Sequence, residues 1–242
     1  MIGILLLAAA LAVMGWQLVT IYLRGMRHVL HGLLLILAVC APLVLGTWFY
    51  TRALDTHAAR SRAARAALLA LFAFYCAALA GALVFSRVDY AHFAAARAEY
   101  MENFDLMTNF VPFETVRLYL NAIRYDYIGM EIPLSNLVGN AMLFMPMAVF
   151  LPCLFRPMRR LWLFALTMAL ALVAVEALQL LLACGSCDVD DVLLNLAGTL
   201  IVFGILKIPP VKRLLVKMRL MQEELQTEPP AKEPAKAESA AS

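Results

Sequence analysis

Carboxylates and amides crowd one apolar stretch, Val175 to Gly198, reading V-E-A-L-Q-L-L-L-A-C-G-S-C-D-V-D-D-V-L-L-N-L-A-G. Glu176 and Gln179 precede a short turn; Asp188, Asp190, Asp191 and Asn195 follow it. A carboxyl in such surroundings must be neutral, paired or reached by water, and each state requires a built environment. Three chemistries fit the residue types. Glu176 and Asp191 are candidate acid–base groups. Asp188 and Asp191, with amide oxygens, are candidate ligands for a hard divalent cation. Cys184 and Cys187, spaced C-x-x-C, could form a disulfide or half a metal site, although a structural zinc needs four ligands and only Asp188 and His92 stand nearby. His28, His31, His57 and His92 form no H-x-x-x-H pair. A G-x-S-x-G elbow and a phosphate-binding glycine loop are both absent from the sequence. Serine-hydrolase and nucleotide-driven mechanisms have no support, and no cofactor is expected.

The elements that must position these groups are membrane helices. The chain has 242 residues, of which 64% are hydrophobic and 15% charged, with a mean hydropathy of +0.81. A soluble domain carries about a quarter charged residues. Nothing resembles a basic nucleic-acid face. Five cysteines are too few for a disulfide scaffold; Cys40, Cys76 and Cys153 lie in apolar runs as small buried hydrophobes. The pattern predicts an all-α, polytopic membrane protein with six spanning helices: Ile2–Leu23, Val29–Tyr50, Ala66–Phe85, Leu134–Phe155, Leu161–Ala183 and Val192–Ile208. Each approaches the roughly 20 residues that cross the hydrocarbon core. The first lacks a positive n-region and reads as a retained helix. Pro42, Pro146 and Pro152 should kink their helices. Ala73, Ala77 and Gly81 form a small-residue ridge suited to close packing.

Arginines and lysines set the orientation. Arg52, Arg60, Arg62 and Arg65 precede the third span, Arg156, Arg159 and Arg160 join the fourth to the fifth, and Lys207, Lys212, Arg213, Lys217 and Arg219 follow the sixth. Six-span parity places these three segments on one side, which the positive-inside rule makes cytoplasmic. Both termini are then cytoplasmic in a bacterial plasma membrane, and the acidic turn faces outward. The turn with Arg24 and Arg27 goes against this count. Three regions follow: a three-helix membrane segment (1–88), an outer loop with three spans (89–208), and a cytoplasmic amphipathic helix with a disordered tail (209–242). In the outer loop, Val116, Leu120 and Ile123 put one apolar face on a short helix that should lie flat on the outer leaflet. Val211, Leu214, Leu215, Met218 and Leu225 repeat the pattern with basic residues on the cytoplasmic side.

Depth brings the polar groups to a common level. Asn136 and Asn140 share a face at the start of the fourth span. Glu176 and Gln179 share a face near the end of the fifth. Asp188, Asp191 and Asn195 line one face of the sixth, with Asp190 pointing elsewhere. If these faces meet, Asn136, Asn140, Glu176, Gln179, Asp188, Asp191 and Asn195 line a recessed ligand-binding pocket open to the outer surface. Each also has a structural reading. Asp188 is a candidate N-cap with Asp191 in the first turn, and the asparagines can be interhelical hydrogen-bonding groups.

N-L-V-G-N-A-M-L-F-M-P-M-A-V-F-L-P, Asn136 to Pro152, resembles the first signature of VanZ-like membrane proteins. The Val175–Gly198 stretch resembles the second, and N-F-V-P-F at Asn109–Phe113 a third. The resemblance spans Asn109 to Lys207. Many members have an Arg before the first Asp of the turn, where this chain has Ser186 or Cys187. Ala148 stands where a glycine is usual. The missing Arg leaves the acidic turn more negative. The family is named for a protein associated with low-level resistance to teicoplanin, a lipoglycopeptide that acts at the outer face of the bacterial membrane. The resemblance implies a membrane protein acting there, on a lipid, a lipid-linked cell-wall precursor or a lipoglycopeptide. An intramembrane enzyme using Glu176, Asp188 and Asp191, and a transporter or assembly protein, are the alternatives.

Overall fold

The computed structural model describes residues 54, 56–125, 129 and 131–217. The first two expected spans, the Arg24–Arg27 turn, Pro42, Cys40 and the expected disordered tail lie outside the described residues.

Among the described residues, four helices are long and apolar enough to cross a membrane: Ala58–Phe85, Asn136–Leu154, Leu161–Leu182 and Val189–Lys207. They correspond to the third to sixth expected spans, with shifted ends. Helix α1 (His57–Ala80) starts inside the expected basic loop. The segment A-A-R-S-R-A-A-R-A-A is made of strong helix formers, and the Thr56 hydroxyl caps it by accepting from the Ala59 amide at 3.2 Å. A π-helical turn, Gly81–Phe85, completes the span.

The residues before the next span fold rather than trail. Helix α2 (Phe93–Glu102), a single turn α3 (Phe104–Met107), strand β1 (Thr108–Asn109) and helix α4 (Glu114–Arg124) follow in order. The next span is two helices, α5 (Glu131–Leu143) and α6 (Met147–Leu154). Pro146 breaks it, since proline cannot continue the amide ladder. The Met147 amide turns back to the Phe144 carbonyl at 2.9 Å, which frees the Leu143 carbonyl. The Tyr75 hydroxyl of α1 donates to that carbonyl at 2.5 Å, so the break leaves no orphan in lipid. Helix α7 (Leu161–Leu182), strand β2 (Cys187–Asp188), helix α8 (Val189–Lys207) and helix α9 (Pro209–Lys217) complete the described chain. Of the expected basic amphipathic tail, α9 is the described part; Leu215 is buried and Leu214 exposed.

The core joins all four spans through Tyr75 and Leu79 of α1, Phe144 and Ala148 around the break, Phe164, Met168 and Leu172 of α7, and Phe203 of α8. Phe164 and Phe203 stack at 4.6 Å between centroids. Ala148, where the resembling family has glycine, is fully buried in this core, so its methyl is packing rather than obstruction. The expected ridge is packed only at Gly81, which is buried; Ala73 and Ala77 are exposed, and Phe74, Tyr75 and Leu79 form the packed face of α1. The far face of α7 exposes Leu166, Leu170, Val173, Leu178 and Leu181, as a helix solvated by lipid should.

Three basic segments gather at one end of this bundle. Arg65 donates to the Leu154 carbonyl at 3.3 Å, and Lys207 donates to the Arg159 carbonyl at 2.6 Å. The acidic turn lies at the opposite end. The structure departs from all-α in one place among the described residues. Strands β1 and β2 pair in parallel, Thr108 with Cys187 and Asn109 with Asp188.

Candidate functional site

The acidic turn begins where α7 stops. Ala183 adopts the left-handed conformation (φ 48°), and the Cys184 amide donates back to the Gln179 carbonyl at 3.1 Å. This is a helix C-terminal closure made without glycine. Gln179 is buried, and its side-chain amide donates to the Leu83 carbonyl at 3.1 Å, tying α7 to the π turn. Cys184 and Cys187 are both buried and are free thiols. The disulfide that their spacing suggested is therefore not formed. Cys184 closes the end of α7, whereas Cys187 is held in the strand pair. Burial pushes both thiols up; Arg87 opposes this at Cys184, and the Glu176 and Asp188 carboxylates add to it at Cys187. Fewer thiolates form at neutral pH, so both should alkylate at least roughly tenfold more slowly than a cysteine placed at exposed Ser186. Peptide mass spectrometry after timed maleimide exposure of Ser186→Cys protein checks this, and equal rates at all three positions would refute it.

The four acids of the Val175–Gly198 stretch, Glu176 within α7 and three aspartates after it, divide into two pairs by contact. Asp188 and Asp190 hold the segment Asn109–Val116. Asp188 is the N-cap of α8, its side chain accepting from the Asp190 amide at 2.8 Å. Its oxygens also accept from the Asn109 side-chain NH2 at 2.9 Å and the Thr115 hydroxyl at 2.6 Å. Asn109 donates to Thr115 at 3.1 Å as well, and its own oxygen accepts from the Val111 amide at 2.9 Å. Asp190 is fully buried and accepts from the Phe113 amide at 2.5 Å and the Val116 amide at 3.1 Å. It thus supplies, from another element, the cap that α4 lacks locally. Phe113 itself sits at φ 66°, a region bulky residues rarely occupy.

Glu176 and Asp191 face inward from this latch. Glu176 accepts from the Asp188 amide at 3.1 Å. Asp191 accepts from the Asn140 side-chain amide of α5, and its carbonyl accepts from Asn195 at 2.8 Å. Three spans, α5, α7 and α8, therefore contribute Asn140, Glu176, Asp191 and Asn195 to one level. Asn136 does not join them: it is exposed and donates to the Ile132 carbonyl of its own helix at 3.1 Å. Two tyrosines from the loop helices flank the cluster. Burial, reinforced by nearby Asp191 and Asp188, pushes the Tyr119 phenol up. Burial likewise raises Tyr100, beside Cys187 and within electrostatic reach of Glu176. Both keep their protons and remain donors.

Positive charge reaches the turn from elsewhere. A Cβ added to Gly185 would lie 3.3 Å from the Arg87 guanidinium, so Arg87 rests against the turn backbone. Arg97 of α2 donates to the Leu181 carbonyl, at the negative end of α7. The turn is thus less isolated electrostatically than its own residues suggest. No group of three or more His, Cys, Asp or Glu side chains converges among the described residues in a manner fit for a metal. Asp188, one of the two candidate ligands, has its carboxylate occupied by three protein donors.

Sequence reasoning named Asp190 and Asn109 without their partners and missed the contacts of Thr115, Arg87 and Arg97. Only N-F-V-P-F carried a signal, as a motif without a partner. The pairing of that motif with the acidic turn depends on a parallel contact across 79 residues, which neither periodicity nor spacing encodes.

No curated protein and no solved structure matches the chain. The family model VanZ/LLP1 matches residues 72–211, more than half of the sequence, from within α1 to within α9, and it includes the latch, the three-span cluster and the turn. The chain is a membrane protein of the VanZ/LLP1 family.

Proposed function

We propose that this protein binds a lipid or lipid-linked molecule at the outer leaflet of the bacterial plasma membrane and thereby lowers susceptibility to lipoglycopeptides of the teicoplanin type. The observation that carries the reading is the meeting of Asn140, Glu176 and Asp191 from three spans, directly beneath a folded extramembrane cover. Carboxylates at helix depth are expensive in lipid and mark sites of function. The collection of Arg65, Arg159 and Lys207 at the opposite end supports the orientation, with the basic end cytoplasmic and the acidic turn outward. Family membership supports a resistance-related role.

The division of the acids makes the reading testable. Glu176→Gln and Asp191→Asn keep size and a hydrogen-bonding group while removing charge. Each should reduce photo-crosslinking of an outer-leaflet lipid probe on the order of tenfold or more, as expected for a lost charge-assisted hydrogen bond. Teicoplanin susceptibility of cells carrying the variant should rise in parallel. Protein level, read by immunoblot, should stay near that of the parent. Unchanged crosslinking and susceptibility at equal protein level would remove the cluster from any working role.

A further inference from the structure

Asn195 lies one turn into α8 and is only 5% exposed. Its side-chain NH2 donates to the Asp191 carbonyl at 2.8 Å, which fixes the orientation of the amide, because a carbonyl can only accept. The other end, Oδ1, is buried and has no partner among the described residues. Buried polar atoms without partners are rare and each calls for a reason. Asn195 shares a helix face with Asp191, and Asp191 meets Asn140 of α5 on that face. The unpaired oxygen therefore belongs to the face of α8 that meets α5, near the level to which α7 adds Glu176.

The carboxylates beside it also call for donors. Glu176 and Asp191 are acceptors when ionised, and Asn140 spends one of its two N–H groups on Asp191. Arg87 stays at the exposed rim, against Gly185. From that rim it is within electrostatic reach of both carboxylates but makes no hydrogen bond to either or to Asn195 Oδ1, so a group that donates hydrogen bonds and carries positive charge complements this level. An anionic phosphate has the wrong sign and accepts only. A quaternary ammonium has the right sign but no N–H. A hydroxyl can satisfy Asn195 but leaves the charge of the two carboxylates standing.

We propose that the Asn140–Glu176–Asp191–Asn195 cluster binds the protonated primary amine of a lipid headgroup, with one N–H donated to Asn195 Oδ1 and the charge set against Glu176 and Asp191. This inference rests on the outer-leaflet lipid-binding reading and specifies its ligand class.

The full-length protein, in nanodiscs of phosphatidylcholine doped separately with phosphatidylethanolamine or phosphatidylglycerol, provides the test, with retained lipid read by native mass spectrometry. Phosphatidylethanolamine should be retained about tenfold over phosphatidylcholine, which differs by lacking N–H, and over phosphatidylglycerol, which offers hydroxyls without the charge. The Glu176→Gln/Asp191→Asn double variant and Asn195→Leu should each bring the ratio close to one. The wild-type series decides the matter even if a variant fails to fold. Equal retention of phosphatidylcholine, or preferential retention of phosphatidylglycerol, overturns the amine assignment while leaving lipid binding in place. Retention of no lipid in any composition overturns the lipid-binding reading itself.

Discussion

Asp190→Ala should cost the protein about 3 kcal/mol or more of stability, through the loss of two hydrogen bonds to a buried carboxylate. Asp190 is fully buried and its two oxygens take the Phe113 and Val116 amides. Truncation leaves both amides unpaired at the start of α4 and removes what holds Phe113 at positive φ. The loss should be local before it is global. Hydrogen exchange at residues 113–116 should accelerate by at least tenfold under conditions where the core of α7 remains protected. Asp190→Asn keeps one acceptor and should lie between parent and alanine variant. Thermal unfolding in detergent ranks the three proteins, and unchanged exchange at 113–116 in Asp190→Ala would show that the latch does not hold the segment. The contrast with Glu176→Gln is the informative part. Asp190 acts on folding of the cover, so any loss of lipid binding should track loss of folded protein. Glu176 has a single backbone partner, the Asp188 amide, which glutamine's carbonyl can still satisfy.

That contrast also shows what can be read from sequence. Span positions in 54–217 came from hydropathy, because lipid-facing helices are apolar around much of their circumference and need about 20 residues. Their ends moved for local reasons. Thr56 caps a helix-forming basic segment, Asp188 starts α8 three residues before the apolar run, and Pro146 divides a span that hydropathy treats as continuous. The convergence of Asn140, Glu176, Asp191 and Asn195 was legible because depth and helical face follow from spacing. Asn136 was placed by the same rule and lies apart, since two residues on one face need not reach the same neighbour. Asp190 was assigned away from the cluster, and that direction is compatible with the structure. What it meets there, the amides opening α4, was not legible, because a carboxylate gives no sign of whether its partner is a ligand or a distant piece of backbone. The acidic stretch looked like one site and consists of two groups: a latch built from Asp188 and Asp190, and a three-span cluster that holds Glu176 and Asp191.

Gly198→Ala should damage both parts through a single methyl group. A Cβ built at Gly198 would overlap the carbonyl oxygen of Ala141 and lie 2.8 Å from its carbonyl carbon. The obstacle is backbone, so no rotamer change relieves it, and α5 and α8 must separate. Small residues at a membrane helix crossing permit this approach, and overpacking it costs about 1–3 kcal/mol. The crossing also carries the Asn140–Asp191 contact, so separation should weaken lipid retention even in molecules that remain folded. Gly139 on α5 and Gly204 on α8 have no atom within 4 Å of an added Cβ. Alanine at either should be neutral or stabilising by up to about 1 kcal/mol, because glycine is the poorer helix former. Melting temperature should therefore fall for Gly198→Ala and hold or rise for Gly139→Ala and Gly204→Ala. A Gly198→Ala protein that melts with the parent and retains lipid as well would mean that α5 and α8 do not cross at this residue, and the three-span cluster would lose the crossing that supports the Asn140–Asp191 contact.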